Sequence, residues 1–170
     1  MDLELRPWRR TDAAAIVPYA DDPQVARNLR DVFPSPYGPE DAEMYVHGCV
    51  EREGQGQLCR AVVVDGTAVG SIGLFLGKDV YRRGAELGYW LGRPFWGRGI
   101  VTEAVRRMCA LGFETWDIAR IWAEPYARNS ASRRVLEKNG FALEGTLRRH
   151  AFKGGELLDC CIYGKLREGL

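Results

Sequence analysis

Apolar residues fall in short runs in one part of the chain and recur at helical spacing in another. Between residues 58 and 91 they form the runs LCRAVVV, AVGSIGLFL and RGAELGYWL, and Asp65-Gly66 joins the first two. Runs of this length bounded by turn residues predict three strands. From Ile100 to about Phe113 apolar residues recur every three or four positions. That spacing predicts an amphipathic helix directly behind the third strand.

The flanking segments predict a mixed order of elements. A strand LELRPW precedes a helix capped by Thr11-Asp12, a short helix PQVARNLRD and a helix from about Glu40 to Glu53. Later come a strand ARIWAE, a helix from Ser130 to Lys138 ended by Asn139-Gly140, and two strands around Gly154-Gly155. This order is neither a regular βαβ alternation nor an all-β run. It predicts an α/β fold with a mixed sheet and helices on both faces.

Composition indicates a globular domain without a dominant charge. The 170 residues show no linker, repeat or low-complexity segment, so we expect a single domain over residues 1–170. A net charge of +1 gives no field for nucleic acid or an acidic membrane. No apolar run has the length of a membrane span, and MDLELRPWRRTD carries charges where a signal peptide is apolar. We expect a cytoplasmic protein with neither nucleic-acid nor membrane partners.

The cysteines and histidines do not form a metal-binding pattern. Five cysteines match no zinc spacing, and there are only two histidines. We therefore expect buried, reduced thiols and no metal site.

The loop before the central helix, Gly97-Arg98-Gly99, has the features of an anion site. A helix N-terminus offers unpaired N–H groups and partial positive charge, and glycines let an anion approach the backbone. The loop matches neither a Walker loop nor a dinucleotide fingerprint, since Thr102 stands where the latter needs its third glycine. From these residues alone, a phosphate site and a glycine-rich turn with a solvated arginine stay equally open.

Three longer stretches together resemble the Gcn5-related N-acetyltransferase superfamily, in particular its ribosomal-protein N-terminal acetyltransferase (RimJ/RimL-like) branch. They are AELGYWLGRPFWGRGIVTEAVRRMCALGFE, ARNSASRRVLEKNGF and the final GGELLDCCIYGKL. The resemblance implies the acyl-CoA N-acyltransferase fold, with a mostly antiparallel sheet of six or seven strands. It also implies that the sheet splays between its fourth and fifth strands, with the pantetheine of acetyl-CoA in the gap.

The resemblance also implies which residues hold acetyl-CoA. The family pattern Gln/Arg-x-x-Gly-x-Gly/Ala falls on residues 96–101, where Gly99 matches and Val101 departs from Gly/Ala. A β-branched Val101 narrows the pocket, but backbone N–H groups make most contacts there, so we expect binding to survive. The implied contacts are Tyr89, Trp90, Leu91, Trp96, Gly97, Arg98, Gly99, Ile100, Val101, Thr102, Asn129 and Ser132.

Acetyl transfer to an amine needs a base, because an ammonium has no lone pair. Glu86, on the strand before the loop, is the candidate base by resemblance. An ion pair of Glu86 with Arg82, Arg83 or Arg93 is an equal alternative.

The segment ARNSASRRVLEKNGF supplies the candidate proton donor. By resemblance Asn129 bonds the pantetheine and Ser132 protonates the leaving thiolate. The alternative is helix capping, which we prefer for Ser130 and not for Asn129 or Ser132.

The resemblance implies a primary amine as acceptor, either a protein N-terminus or a small molecule such as a polyamine or aminoglycoside. Acidic residues before the first hairpin favour a cationic acceptor, although ordinary surface acids are the simpler interpretation. They are Asp21, Asp22, Asp31, Glu40, Asp41 and Glu43. The alternative function is a non-catalytic acyl-CoA sensor. Homodimers are common in this branch, and no sequence feature fixes the oligomer.

Overall fold

The structure, a computed structural model, describes residues 1–170 and contains seven strands and five α-helices. The strands are Leu3–Pro7 (β1), Gln57–Val64 (β2), Thr67–Leu76 (β3), Gly84–Leu91 (β4), Arg120–Ala123 (β5), Ala142–Lys153 (β6) and Glu156–Leu166 (β7). The helices are Ala13–Ala20 (α1), Pro23–Ala26 (α2), Pro39–Glu51 (α3), Ile100–Thr115 (α4) and Ser130–Lys138 (α5). None of the helices combines the length and the apolar content needed to span a membrane.

All seven strands form one sheet, in the order β1-β2-β3-β4-β5-β7-β6. Every neighbouring pair is antiparallel except β4 and β5, which run parallel. Those two strands pair only where Gly84–Glu86 lies beside Arg120–Trp122. Beyond Glu86 the strands separate and leave a gap in the middle of the sheet. The predicted mixed sheet and its splay between the fourth and fifth strands are both confirmed.

Helices cover both faces of the sheet, each over its own apolar core. On one face α1, α2 and α3 pack on alternate residues of β2 and on Trp90. On the other face α4 and α5 bury Met108 and Leu136 against Ile72 and Leu74. Because side chains alternate across a strand, Glu86 and Trp90 face the α1–α3 side while Tyr89 faces the α4–α5 side.

The two helices beside the gap begin and end for local reasons. In α4 the buried residues include Ile100, Ala104 and Met108, the repeat that predicted the helix. Helix α5 covers the predicted residues and ends where Gly140 adopts φ +80°, a left-handed conformation that glycine takes without a Cβ clash.

The short second helix ends earlier than its sequence predicts. It stops at Ala26 instead of continuing through PQVARNLRD. We call the residues after it, 27–33, the strap. Side chains from the C-terminal part of the chain hold the strap in place. Arg128 donates to the Arg27 carbonyl (2.7 Å), and Lys153 pairs with Asp31 (2.8 Å). These long-range bonds replace the helical ones and carry the strap across the mouth of the gap.

Asn139 connects α5 to the first turn of α4. Its buried amide donates to the carbonyls of Thr102 (3.1 Å) and Val135 (2.9 Å). We expect Asn139→Ala to lower the free energy of unfolding by about 1–3 kcal/mol, because two hydrogen bonds of a buried group are lost. Urea denaturation measures this change. Asp117→Ala, which breaks an exposed surface ion pair, is the control and should cost less than about 1 kcal/mol. Equal losses in the two variants would contradict the prediction.

Candidate active site

The gap between β4 and β5 opens into a cavity of about 1140 Å³. Its lining comes from both faces of the sheet. Tyr45, Ser71 and Phe33 line it on the α1–α3 side, and Val101 and Ser132 line it on the α4–α5 side. The cavity therefore passes through the sheet, and two molecules could enter it from opposite faces.

One end of the cavity is a cradle of backbone N–H groups at the start of α4. None of the N–H groups from residue 97 to residue 102 donates to a protein acceptor. Gly97 and Gly99 have φ of +72° and +76°, and a Cβ built on either would meet no atom within 4 Å. The unpaired donors, the open space and the helix N-terminus together fit an anionic group such as a pyrophosphate.

Charged side chains around this cradle leave it electropositive. Hydrogen bonds from Arg106 and Arg107 lower the pKa of Glu103, in the first turn of α4, to about 2. The two guanidiniums thereby compensate its negative charge. Arg134 and Lys138 line the cavity from one face of α5. No carboxylate lies within ion-pair distance of either side chain.

The structure brings nearly all of the sequence-predicted residues to this one cavity. Those that line it are Glu86, Tyr89, Trp90, Leu91, Trp96, Gly97, Gly99, Ile100, Val101, Thr102, Asn129 and Ser132. Arg98 is the exception, since its exposed guanidinium lies over the Phe95 ring, 5.7 Å from the centroid, outside the lining. Val101 is half-buried against the core, so only part of its side chain narrows the cavity.

The free edge of β4 offers backbone groups to the gap. The Gly92 N–H donates to Val69 on β3, so the alternate residues Leu87, Tyr89 and Leu91 direct their backbone groups away from β3. The Trp96 indole donates to the Leu91 carbonyl (2.7 Å) and fixes the loop against the end of the strand.

A hydroxyl pair lies beside this edge. The Tyr89 hydroxyl and Ser132 Oγ are 2.6 Å apart. Burial raises the pKa of Tyr89 to about 12, although the hydrogen bond with Ser132 opposes the rise. At neutral pH the phenol keeps its proton, and its contact with Ser132 Oγ joins the two hydroxyls in one hydrogen bond.

Asn129, and not Ser130, is the cap of α5. Its Oδ1 accepts from the Ser132 N–H (3.2 Å), whereas Ser130 is already the first helical residue. The preference for Ser130 as the cap was therefore wrong. Capping uses only Oδ1, which leaves the amide Nδ2 of Asn129 free to donate into the cavity.

Glu86 forms an ion pair, but not with a predicted partner. Arg30 of the strap places Nη2 2.5 Å from Glu86 Oε1 and 3.7 Å from Glu124 Oε2. Of the three arginines considered, Arg83 pairs with Asp117 and Arg93 with Asp22. Arg30 lies 56 positions before Glu86, and only the course of the strap brings them together.

The acidic residues expected to favour a cationic acceptor do not line the cavity. Asp22 and Asp41 accept backbone N–H groups at helix starts, Asp21 accepts from the Tyr37 N–H and Asp31 pairs with Lys153. Four of the six therefore serve the fold. Glu40 and Glu43 lie by a small separate depression.

Sequence reasoning missed a second group of polar residues on the α1–α3 side. Glu124, His150 and Cys160 line the cavity there. All five thiols are free and buried, as predicted. Burial and the neighbouring Glu124 raise the pKa of Cys160, so this thiol stays protonated. Local patterns carried no signal for this group, because its members come from three different strands or strand ends.

Comparison with known proteins places the chain among acetyltransferases. Residues 2–142 match the family model described as an acetyltransferase (GNAT) domain, and the match ends at the first residue of β6. The uncharacterized N-acetyltransferase p20 of Bacillus licheniformis is 29% identical over 167 residues, which cover 97% of this chain and 93% of that protein.

Two solved structures share the fold over the whole chain. One is RimL, a ribosomal L7/L12 α-N-protein acetyltransferase in complex with coenzyme A, with TM-score 0.88, 20% identity and coverage of 99% of this chain and 96% of that one. The other is Mycobacterium smegmatis RimJ in complex with CoA-disulfide, with TM-score 0.86, 26% identity and coverage of 99% and 83%.

Proposed function

The chain belongs to the acetyltransferase (GNAT) domain family, and on that premise we propose that it transfers acetyl directly from acetyl-CoA to a primary amine while both are bound. The observation that carries the proposal is the cavity through the sheet, with the N–H cradle at one end and Glu86 at the other. Direct transfer needs both substrates at one point, and entry from opposite faces satisfies that need.

The residues on the α4–α5 side fit acetyl-CoA. The N–H groups of Gly97 to Thr102 would hold its pyrophosphate, and the Tyr89 and Leu91 N–H groups would bond the pantetheine arm. Asn129 would bond the same arm through Nδ2. Bound acetyl-CoA supplies an activated thioester, and the Ser132–Tyr89 pair would donate a proton to the departing sulfur.

We call the α1–α3 side of the cavity the acceptor side. There we assign Glu86 the role of attracting the ammonium group of the acceptor toward the gap. Arg30 already matches its charge, so the ammonium must compete with the guanidinium. For Glu86 to take the acceptor's proton itself, as its sequence position predicts, Arg30 must first leave the carboxylate.

Among primary amines we favour a peptide N-terminus as acceptor. Glu86 and Glu124 are the two acidic groups at this end, and Arg30 and His150 lie against them. A polyamine or aminoglycoside carries several ammonium groups. Its binding would require more unpaired carboxylates than Glu86 and Glu124 provide. The similarity to the ribosomal-protein-serine acetyltransferase of Escherichia coli, which is 29% identical over 82 residues, supports the same choice.

Two measurements test the proposed function. Calorimetry should show stoichiometric binding of acetyl-CoA and none of ATP or NAD. Activity is then assayed in two ways, by release of the CoA thiol and by the mass of the acceptor. The acceptors are tetrapeptides with N-terminal serine or alanine, spermidine and kanamycin. Acetylation of a tetrapeptide is the expected result. Tight acetyl-CoA binding without transfer to any amine would overturn the proposal in favour of a non-catalytic sensor.

The unpaired cations on α5 give a separate prediction. We expect Arg134→Ala combined with Lys138→Ala to weaken acetyl-CoA binding about tenfold at low salt, because two positive charges near the phosphates are removed. The difference from wild type should shrink at about 1 M salt, where the Debye length is about 3 Å. Calorimetry at both salt concentrations measures it. Arg83→Ala, outside the cavity, is the control, and a salt-independent loss would contradict the electrostatic explanation.

A further inference from the structure

The β6–β7 hairpin contains a bulge at the cavity. Leu147 pairs with Cys160 and Ala151 with Leu158, so three residues of β6 lie opposite the single residue Asp159. At the centre of this bulge Arg149 has φ +52°, in the left-handed region that non-glycine residues seldom adopt. Such a conformation is strained and persists only where its surroundings impose it.

The Asp159 carboxylate stabilises this conformation. Its Oδ1 accepts from the Arg149 N–H at 2.8 Å and thereby holds the bulge closed. A bulge changes the direction of the side chains next to it, and bulges are frequent beside active sites. In this chain the residue that follows Arg149 is His150, which lines the cavity on the acceptor side.

Within the cavity the imidazole of His150 lies against a carboxylate. His150 Nε2 is 3.4 Å from Glu124 Oε1, and the Glu124 side chain is only 16% exposed. Neither ring nitrogen makes a hydrogen bond within the protein, and the imidazole as a whole is accessible from solvent. The other groups facing this space that carry charge or titrate are Arg30, Glu86, Tyr126 and Cys160.

Arg30 lies closer to the carboxylate of Glu86 than to that of Glu124. Its Nη2 lies 2.5 Å from Glu86 and 3.7 Å from Glu124, so Glu86 is the more tightly held. Glu124 is therefore the one available to orient the imidazole, as carboxylates do for histidine bases elsewhere.

We propose that His150 is the general base of the acetyl transfer and that Glu124 and the Asp159-held bulge are its positioning groups. This inference rests on the proposed function. In the tautomer that carries its proton on Nε2, next to Glu124, the neutral imidazole leaves the Nδ1 lone pair for the acceptor. Glu86, paired with Arg30, attracts the ammonium without taking its proton.

The step balances in protons and electron pairs. The acceptor ammonium gives one proton to His150 Nδ1, which later releases it to solvent. The freed nitrogen forms the bond to the acetyl carbon, and the carbon–sulfur bond breaks with its electron pair on sulfur. The sulfur takes a proton from the Ser132–Tyr89 pair, and the second nitrogen proton, lost as the amide forms, replaces it.

The test compares two histidine variants with the tetrapeptides as acceptors. We expect His150→Ala to lower kcat at least about 100-fold, within the usual contribution of a general base. Calorimetric acetyl-CoA binding should be unchanged. Added imidazole should restore a large part of the lost turnover, because the truncated, solvent-accessible position leaves room for it. His47→Ala, which removes the exposed histidine of α3, is the matched control and should behave as wild type.

The carboxylate variants distinguish positioning from structure. We expect Glu124→Gln to lower kcat less than His150→Ala does, and imidazole not to rescue it. Glu86→Gln should mainly raise KM for the peptide. Wild-type transfer with unchanged turnover in His150→Ala, or a kcat loss that imidazole leaves unaltered, would overturn this inference alone. Absence of transfer by the wild-type protein would instead overturn the proposed function.

Discussion

Ser132→Ala should lower kcat by between about 100-fold and about 1000-fold while acetyl-CoA affinity stays within a few fold of wild type. The reason is the 2.6 Å contact between Ser132 Oγ and the Tyr89 hydroxyl. The buried phenol has its pKa raised to about 12, so it stays protonated next to Ser132 Oγ and can restore the proton that Ser132 gives to the sulfur. Without that proton the sulfur leaves as a thiolate. Steady-state kinetics with calorimetry on the same variant separates turnover from binding.

Tyr89→Phe is the companion variant, since it keeps the ring and removes only the hydroxyl. Because the two hydroxyls act as one relay, Ser132→Ala and Tyr89→Phe combined should cost little more than either alone. Ser130→Ala, one residue into α5 and outside the cavity lining, is the control. Additive losses in the double variant would contradict a shared relay, and equal losses in Ser130→Ala would indicate damage to the helix instead.

Gly99→Val should weaken acetyl-CoA binding by between about 5-fold and about 150-fold. Gly99 has φ +76° and is the last residue before α4. A β-branched residue in that region costs about 1–3 kcal/mol, which converts to that range of affinity. The loop can relieve the strain only by turning its N–H groups away from the ligand. Calorimetric titration with acetyl-CoA measures the loss.

Gly145→Val is the matched control for this variant. Gly145 also has open space around it, but its φ is not positive and it lies on exposed β6. A valine fits a strand there, so acetyl-CoA affinity should be unchanged. Equal binding by Gly99→Val and wild type would show that the backbone conformation of the loop does not control the site.

Local patterns predicted the elements well because their causes are local. Helix α5 covers the residues expected of it, since Asn139-Gly140 ends a helix by its own conformational preference. The central strands and α4 were equally predictable from apolar spacing. The resemblance to the acetyltransferase superfamily then predicted that the loop before α4, Tyr89 and Ser132 lie at the same gap in the sheet.

The electrostatics of the site could not be predicted in this way. Arg30 reaches Glu86 only because the strap crosses the sheet, and no spacing rule contains that path. His150 was missed because a bulge decides where it lies, and bulges leave no periodic signal. The acidic residues before the first hairpin gave a wrong expectation about the acceptor site. They are close together in sequence, but none of them lines the cavity.

The position of β7 between β5 and β6 has a consequence for the newborn chain. As synthesis proceeds, every strand up to β5 emerges before the final hairpin that pairs with it. During that interval β5 is an unprotected edge, open to pairing with other chains. The N–H cradle at the start of α4 has already been synthesised, whereas the strands that carry His150 and Cys160 have not. A nascent chain therefore completes its acceptor side last, and a ribosome stalled before β6 would present an aggregation-prone sheet of five strands.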